Sequence, residues 1–374
     1  MGLTFWTSFV ALLATGVYVY VSKTPFEENV VKLTPQRELT GKLAQTPQNT
    51  LKNIDILVKG EVYGPECQVL HKGALYSASL DGSVVKIIDG KVAKKLEVYK
   101  NNPKCRELRC SQPLGIRHWK EEKFVFADGA LGILVVDFKT EQFEQIYTAG
   151  TLVGNWGIGF ADDFDFVGED TIVFSDMHPK CGMHNFMQCF VEFSRDGRLF
   201  KLNLNTGEFE IIADNLLAPN GVVAHPDKQS VIVSSSSGSQ LLRVYYAGSK
   251  KGAVEVFADG LPGMPDNLRQ TSSGKTFWIA FYRSSIGGRS AIQVLSEYPA
   301  VRKFLNIFGN LLMPFDMLFG KHVVIIEMDF EGNVVSSIHD TEGRLRALTN
   351  VIDDGKYLYF GSFVKDYIGR ALRP

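Results

Sequence analysis

Excess charge of either sign is missing from this chain. It carries 40 basic and 41 acidic residues over 374 positions, a formal net charge of −1, so nothing electrostatic points to a nucleic-acid partner. Asn-x-Ser/Thr triplets are absent too, and no N-glycan site reports on the compartment. Cysteine is scarce, five residues with none of the spacings of the common zinc motifs. The sixth position is Trp6 rather than Ser or Thr, which removes an N-myristoylation signal despite Met1-Gly2.

The most informative absence lies at the start, where no residue from Leu3 to Ser22 is charged. That run is long enough to cross a bilayer as one helix. A cleavable signal peptide is the alternative, but the segment lacks a basic leader and a small-x-small cleavage site. Either reading puts the remainder in the secretory lumen or outside the cell. The first basic residue, Lys23, follows the run directly, and taken alone it favours the opposite orientation. The cysteines outweigh it. Cys105 and Cys110 have four residues between them, Cys181 and Cys189 flank another loop, and Cys67 is left over. Two short-range disulfides suit an oxidising compartment. Free thiols, or zinc ligands together with His178 and His184, are the alternatives. The expected topology is a single-pass type II membrane protein of the secretory pathway or cell surface.

Residues 1–22 are read as the anchor and 23–55, polar and broken by Pro25, Pro35 and Pro47, as a stalk. From residue 56 to 374 short apolar runs ending in Gly- or Asp-rich turns repeat. Six runs, Ala74–Ala78, Phe124–Asp128, Thr171–Asp176, Ser230–Ser234, Thr276–Ala280 and Lys356–Gly361, each lead to a second strand. Their small terminal residues mark them as inner strands converging on a channel, with further strands drawn from links such as Gly221–Ala224. The pattern predicts an all-β, six-bladed β-propeller; two packed β-sandwiches would not produce so regular a unit. Between the strands of the fifth unit, about residues 290–320, the spacing of Ile292, Leu295, Val301, Phe304, Leu305, Phe308, Leu311 and Leu312 predicts a helical insertion. It would cover a pocket or core, or dock on a membrane surface or partner.

Four separated stretches place oxygen-bearing side chains in rigid Pro- and Gly-punctuated turns: Gly64-Pro65-Glu66, Phe160-Ala161-Asp162-Asp163, Ala218-Pro219-Asn220-Gly221 and Gly263-Met264-Pro265-Asp266-Asn267. Singly such residues shape turns; together they can surround a hard cation such as Ca²⁺.

These motifs, with Cys110–Ile116, Asp196–Leu199, Leu295–Pro299, His339-Asp340 and Leu358–Phe363, occur in the order seen in strictosidine synthase-like proteins, which the chain resembles over roughly residues 55–372. The resemblance implies a propeller related to paraoxonases and gluconolactonase-type lactonases, with Ca²⁺ in the central channel. Glu66, Asn220, Asp266 and Asn267 match the family's ligand positions, and Asp162 stands where relatives usually have Asn. Two departures matter. Leu114 replaces the paraoxonase histidine in Pro113-Leu114-Gly115-Ile116. Arg346–Val351, where strictosidine synthases carry a catalytic Glu, has no acidic residue, so alkaloid synthesis is not expected.

The expected activity is a membrane-anchored, Ca²⁺-dependent hydrolase of small esters or lactones. Glu66, Asp162, Asn220, Asp266 and Asn267 would hold the metal, and Asp266, Asp163 or His178 would act as base. The alternative is a non-catalytic anchored propeller with structural Ca²⁺, acting in binding or adhesion.

Overall fold

The computed structural model describes residues 26, 29–98, 111–148, 150, 152–153, 156–182, 185–285, 294–306 and 321–374. The apolar run Leu3–Ser22, the Cys105/Cys110 pair and much of the expected helical insertion lie outside them. No helix among the described residues is long and apolar enough to cross a membrane.

Among the described residues six four-stranded antiparallel sheets make up the body of the fold, with a two-stranded ribbon of β10 (Leu152–Val153) and β11 (Trp156–Gly157) beside them. Their first strands are β2 (Pro65–His71), β6 (Pro113–Lys120), β12 (Ala161–Phe166), β16 (Pro219–Ala224), β20 (Gly263–Gln270) and β24 (Leu348–Asp353). Each of the six packs on the next and β24 returns to β2, so they form a closed ring around one axis. The second strands are β3 (Ala74–Ser79), β7 (Lys123–Asp128), β13 (Thr171–Asp176), β17 (Ser230–Ser235), β21 (Thr276–Ser284) and β25 (Tyr357–Ser362). The outermost strand of blade one, β5 (Lys91–Glu97), alternates over most of its length between exposed and half-buried residues. One apolar cluster fills each of the six blade interfaces: Phe124 and Phe126 meet Tyr76 and Val84, for example, and Phe277 meets Ile232. The molecule is therefore a six-bladed propeller, as the repeat predicts.

The order of strands within each blade differs from expectation. The runs read as inner strands are the second strands, and the turn motifs themselves are the innermost. Small residues end the second strands for another reason: the Ser175 hydroxyl donates to the Asn220 carbonyl at 2.7 Å and the Ser234 hydroxyl to the Asp266 carbonyl at 2.8 Å, each tying one blade to the inner strand of the next.

Closure comes from the N-terminal side of the domain. The strand β1 (Asp55–Leu57) pairs with β26 (Ile368–Leu372) as the fourth strand of blade six. Residues 29–54, expected as a stalk, run along blades four to six. Leu43 and Leu51 are buried in two interface clusters, and Thr34 donates to Asp259 at 2.6 Å. The Leu51 N–H donates to the His339 carbonyl, and the His339 N–H to that of Asn49. This segment has no sheet period because it follows the edge of a blade rather than forming one.

Among the described residues two short α-helices sit between strands. Helix α1 (Phe186–Glu192) follows β13 in blade three, and α2 (Pro299–Asn306) follows β21 in blade five, inside the insertion expected there. The two helices pack against each other.

At Gly221 blades four and five approach closely. A Cβ there would run into the Asp266 carbonyl oxygen, Asn267 Cα and the Leu268 nitrogen. Gly221→Ala is expected to lower stability by about 1–3 kcal/mol through overpacking, read as a lower urea midpoint at unchanged slope; an unchanged midpoint would show that the two strands can part freely.

Candidate metal centre

Every innermost strand starts with a register shift at the same place: between Pro65 and Cys67, Pro113 and Ile116, Ala161 and Phe164, Pro219 and Val222, Pro265 and Leu268, and Leu348 and Asn350. A β-bulge leaves a residue unpaired and re-aims its side chain. The six residues so placed are Glu66, Leu114, Asp162, Asn220, Asp266 and Thr349. Proline precedes four of them, fixing φ at a point where the ladder has already given up its donor. Blades one, three, four and five thus contribute carboxylates or amides, while blades two and six contribute Leu114 and Thr349.

Glu66, Asp162, Asn220, Asp266 and Asn267 are all buried here. Asn267 Nδ2 donates to Glu66 Oε1 at 2.6 Å and Asn220 Nδ2 to Asp162 Oδ2 at 3.4 Å. Both amides thereby leave their oxygens available. Glu66 Oε2, Asn220 Oδ1, Asp266 Oδ1 and Asn267 Oδ1 are buried with no hydrogen-bond partner. Leaving one such atom unsatisfied costs about 1–3 kcal/mol, and four of them on the inner strands β2, β16 and β20 match a hard cation, which takes six to eight oxygen ligands. The electrostatics agree. Burial, then the charge of Asp163, pushes Glu66 up to about 8. Burial and the neighbouring carboxylates raise Asp162 and Asp266 well above the usual range. Such a group stays ionised together only with a positive charge among it. The residues present therefore fit a bound Ca²⁺.

Asp163, a candidate base, is placed differently. Arg269 Nη1 and Nη2 donate to its two oxygens at 2.7 and 2.9 Å, Arg117 Nη1 donates at 3.3 Å, and the Val222 N–H at 3.0 Å. Burial would raise its pKa, but Arg269 and Arg117 outweigh burial and hold it below the ordinary value. Its chemistry is that of a counter-ion. Cys67 belongs to the same cluster: Arg269 Nη2 lies 2.8 Å from its sulfur, and burial keeps the thiol pKa raised despite both guanidiniums.

His178, the third candidate base, lines a small cavity with Phe160, Met177, Phe190, Ser194 and Leu217, and no ring carboxylate lines it. Its Nε2 lies 2.6 Å from Ser194 Oγ, and its Nδ1 accepts from the Lys180 N–H at 3.1 Å. Cys181 and Cys189 beside it are joined to each other. The imidazole and both sulfurs lie within 4.8 Å of one another, the arrangement considered for zinc, but here the two sulfurs form a disulfide.

Sequence reasoning missed Arg269, Arg117 and Tyr282. The last sits at the far end of β21, half-buried, with its ring edge-on to Phe363 at 5.9 Å. Burial and the nearby Asp266 raise its pKa, so its hydroxyl stays protonated beside the ring. The repeated Pro-x dipeptide is the signal that would have aligned four of the six inner strands, those of blades one, two, four and five.

Comparison with known proteins agrees with this geometry. The chain matches the family model described as strictosidine synthase over residues 162–249, and that described as strictosidine synthase-like, N-terminal, over residues 46–87. It is 28% identical over 366 residues to an adipocyte plasma membrane-associated protein of Danio rerio, covering 96% of this chain and 86% of the relative. Among solved structures, a gluconolactonase from Xanthomonas campestris superposes with a TM-score of 0.56 at 14% identity, over 94% of this chain and 99% of the other. Regucalcin from Agrobacterium tumefaciens, a calcium-binding protein, superposes with a TM-score of 0.55 at 11% identity, over 86% and 93%. The resemblance to strictosidine synthase-like proteins thus holds in sequence, and the likeness to the two solved structures is one of fold.

Without a cation, Glu66 keeps its proton in the folded chain up to about pH 8, whereas its ordinary value is 4.5. Between those values the folded state binds more protons than the unfolded one, so stability falls as pH rises through that window and levels off above it. Melting temperatures measured in chelator should decline over that interval, and calcium should restore them most at the alkaline end. A flat profile in chelator would remove the electrostatic case for the site.

Proposed function

We propose that the protein is a membrane-anchored, Ca²⁺-dependent hydrolase of small esters or lactones. The observation that carries this reading is the set of four partnerless buried oxygens on Glu66, Asn220, Asp266 and Asn267 at the start of the inner strands. The fold likeness to a gluconolactonase supports the reaction class, and the fold alone does not decide it. When bound, the cation supplies Lewis-acid polarisation of the substrate carbonyl and a more acidic water.

The chain's own residues do the remainder. Asp163 is committed to Arg269, and no ring carboxylate lines the cavity that holds His178, so Asp266 is taken as the carboxylate that accepts the proton of the attacking water. As the water oxygen bonds to the carbonyl carbon, the carbon–oxygen bond to the alkoxy group breaks and that proton passes to the departing alcohol. Burial, then the charge of Asp266, raises the Tyr282 pKa and keeps its hydroxyl protonated near this carboxylate. Leu114, with Phe160, Met177 and the half-buried Leu80 and Phe190, gives the blade-two side of the ring an apolar wall suited to an acyl chain or ring.

The disulfide between Cys181 and Cys189 supports a propeller on the lumenal or outer side of the membrane. The names of the curated relatives, plasma membrane-associated, agree with anchoring through the N-terminal run. One observation favours a second reading, a binding or adhesion propeller with structural Ca²⁺: Leu114 and Thr349 fill the two ring positions where a further acid or base would sit.

Phenyl-ester and lactone turnover by the full-length chain in detergent, with calcium and with chelator, separates the two. Chelator should abolish turnover, and Asp266→Ala should lower kcat/KM at least about a hundredfold while weakening calcium binding. Unchanged binding and turnover in Asp266→Ala would sink the hydrolase reading, and tight calcium binding without turnover in the parent would select the second one. Asp163→Asn should instead destabilise the fold by about 3–5 kcal/mol, because it strands the buried Arg269 guanidinium.

A further inference from the structure

Helix α2 is built inside out. A helix that covers a core turns its apolar stripe inward and its charges to solvent. Here Arg302, on the inner face, is fully buried, while Tyr298 is 56% exposed and Val301 and Phe304 are each 45% exposed. Val294, before the turn that precedes the helix, is 44% exposed as well, and positions 298, 301 and 304 follow at helical spacing as one outward apolar stripe.

The inward arginine explains how the helix stays in place. Arg302 Nη1 donates to the carbonyls of Val191 at 2.7 Å and Glu192 at 2.8 Å, capping the C-terminal end of α1. Its Nη2 donates to the Asn29 carbonyl. The guanidinium lies over the Phe193 ring at 5.0 Å and over the Phe26 ring at 5.7 Å. The Val31 N–H donates to the Ser296 carbonyl at 3.1 Å. Phe26, Asn29 and Val31 are thus fastened to α2 and to the residues just before it. Four residue steps separate Ser22, the end of the uncharged run, from Phe26. Fully extended, they span at most about 14 Å.

We propose that the outward face of α2, Tyr298, Val301 and Phe304 with Val294, lies in the headgroup region of the same lipid bilayer that the N-terminal run enters. The inference rests on the membrane-anchored reading above and adds a second, peripheral contact that fixes the tilt of the propeller. Occupancy by lipid follows from the tether: wherever residues 3–22 enter a membrane, Phe26 beside Arg302 lies within about 14 Å of chain from Ser22. A helix presenting aromatic and aliphatic side chains outward beside such a tether suits the interface between headgroups and acyl chains. Because α1 carries Cys189 and Phe190 beside the His178 cavity and packs on α2, the blade-three rim of the channel is brought towards that surface.

The test uses the full-length chain in phosphatidylcholine–phosphatidylserine vesicles at low protein-to-lipid ratio. A genetically encoded environment-sensitive fluorophore replaces Val301 or Phe304, with Val256 on blade four, 61% exposed, as the reference position. Labels at 301 and 304 should emit to the blue of the reference and be quenched by spin-labelled lipid. Water-like emission at both positions would overturn the proposal. So would a blue shift that lipid does not quench and that grows with protein concentration, since a second copy would then cover the stripe. Alkaline extraction of the same vesicles reports on the N-terminal anchor separately. A chain that resists extraction with water-exposed labels keeps the anchored reading and loses this one; a chain that is extracted before labelling but whose labels dry on re-added vesicles supports α2 contact without the anchor.

Discussion

A buried ion pair holds the centre of this propeller. Arg269 on β20 and Asp163 on β12 meet across the axis through two hydrogen bonds, and both side chains are almost wholly removed from water. Burial alone would depress the guanidinium, and the adjacent Asp163 more than offsets it. Such a pair adds little net stability compared with apolar packing, but each half depends on the other. Here it does more than join blades three and five. Arg269 and Arg117 are the permanent positive charges beside a ring of three further acidic groups, and both pull the Glu66 pKa down against burial and Asp163. The oxygens can therefore stay crowded at the inner-strand starts, short of positive charge but not so short that the strands separate.

The lopsidedness of the ring follows from the same crowding. Six equivalent bulges offer six positions, and only four carry oxygen donors of the kind a hard cation takes. Thr349 uses its hydroxyl to donate to the Glu66 carbonyl at 2.6 Å, locking blade six to blade one rather than facing a ligand. Leu114 turns the blade-two position into part of an apolar cluster. One side of the ring is thus polar and electron-rich, and another is greasy, which is the division a small amphiphilic substrate needs.

Much of this was legible in the sequence. Six apolar units with turn punctuation gave the propeller, and the oxygen-bearing residues in Pro- and Gly-rich turns are the ones found together. What stayed hidden has physical reasons. Strand depth was misassigned because serine at the end of a strand serves both a converging inner strand and a second strand that hydrogen-bonds the next blade; Ser175 and Ser234 do the latter. Arg269 and Arg117 carry no local signal, since a charged residue in an apolar strand reads as a solvent-facing position until its partner, 106 or 46 residues away, is known. Residues 29–54 look like a linker because edge contacts through carbonyls and a few isolated leucines leave no period to detect.

The pairing of β1 with β26 joins residues as far apart as Asp55 and Arg370, whose side chains meet at 2.8 Å across 315 positions of chain. Among the described strands β1 is synthesised first and β26 last. While the intervening strands are made β1 must remain unpaired, and the blades between assemble without their circle shut. Contacts of such long range are slow to form, because loop closure must precede any gain from them. The rate at which active molecules mature should therefore be governed by the final ring closure rather than by the folding of any one blade. A lesion in the last twenty residues would be felt at the opposite end of the chain.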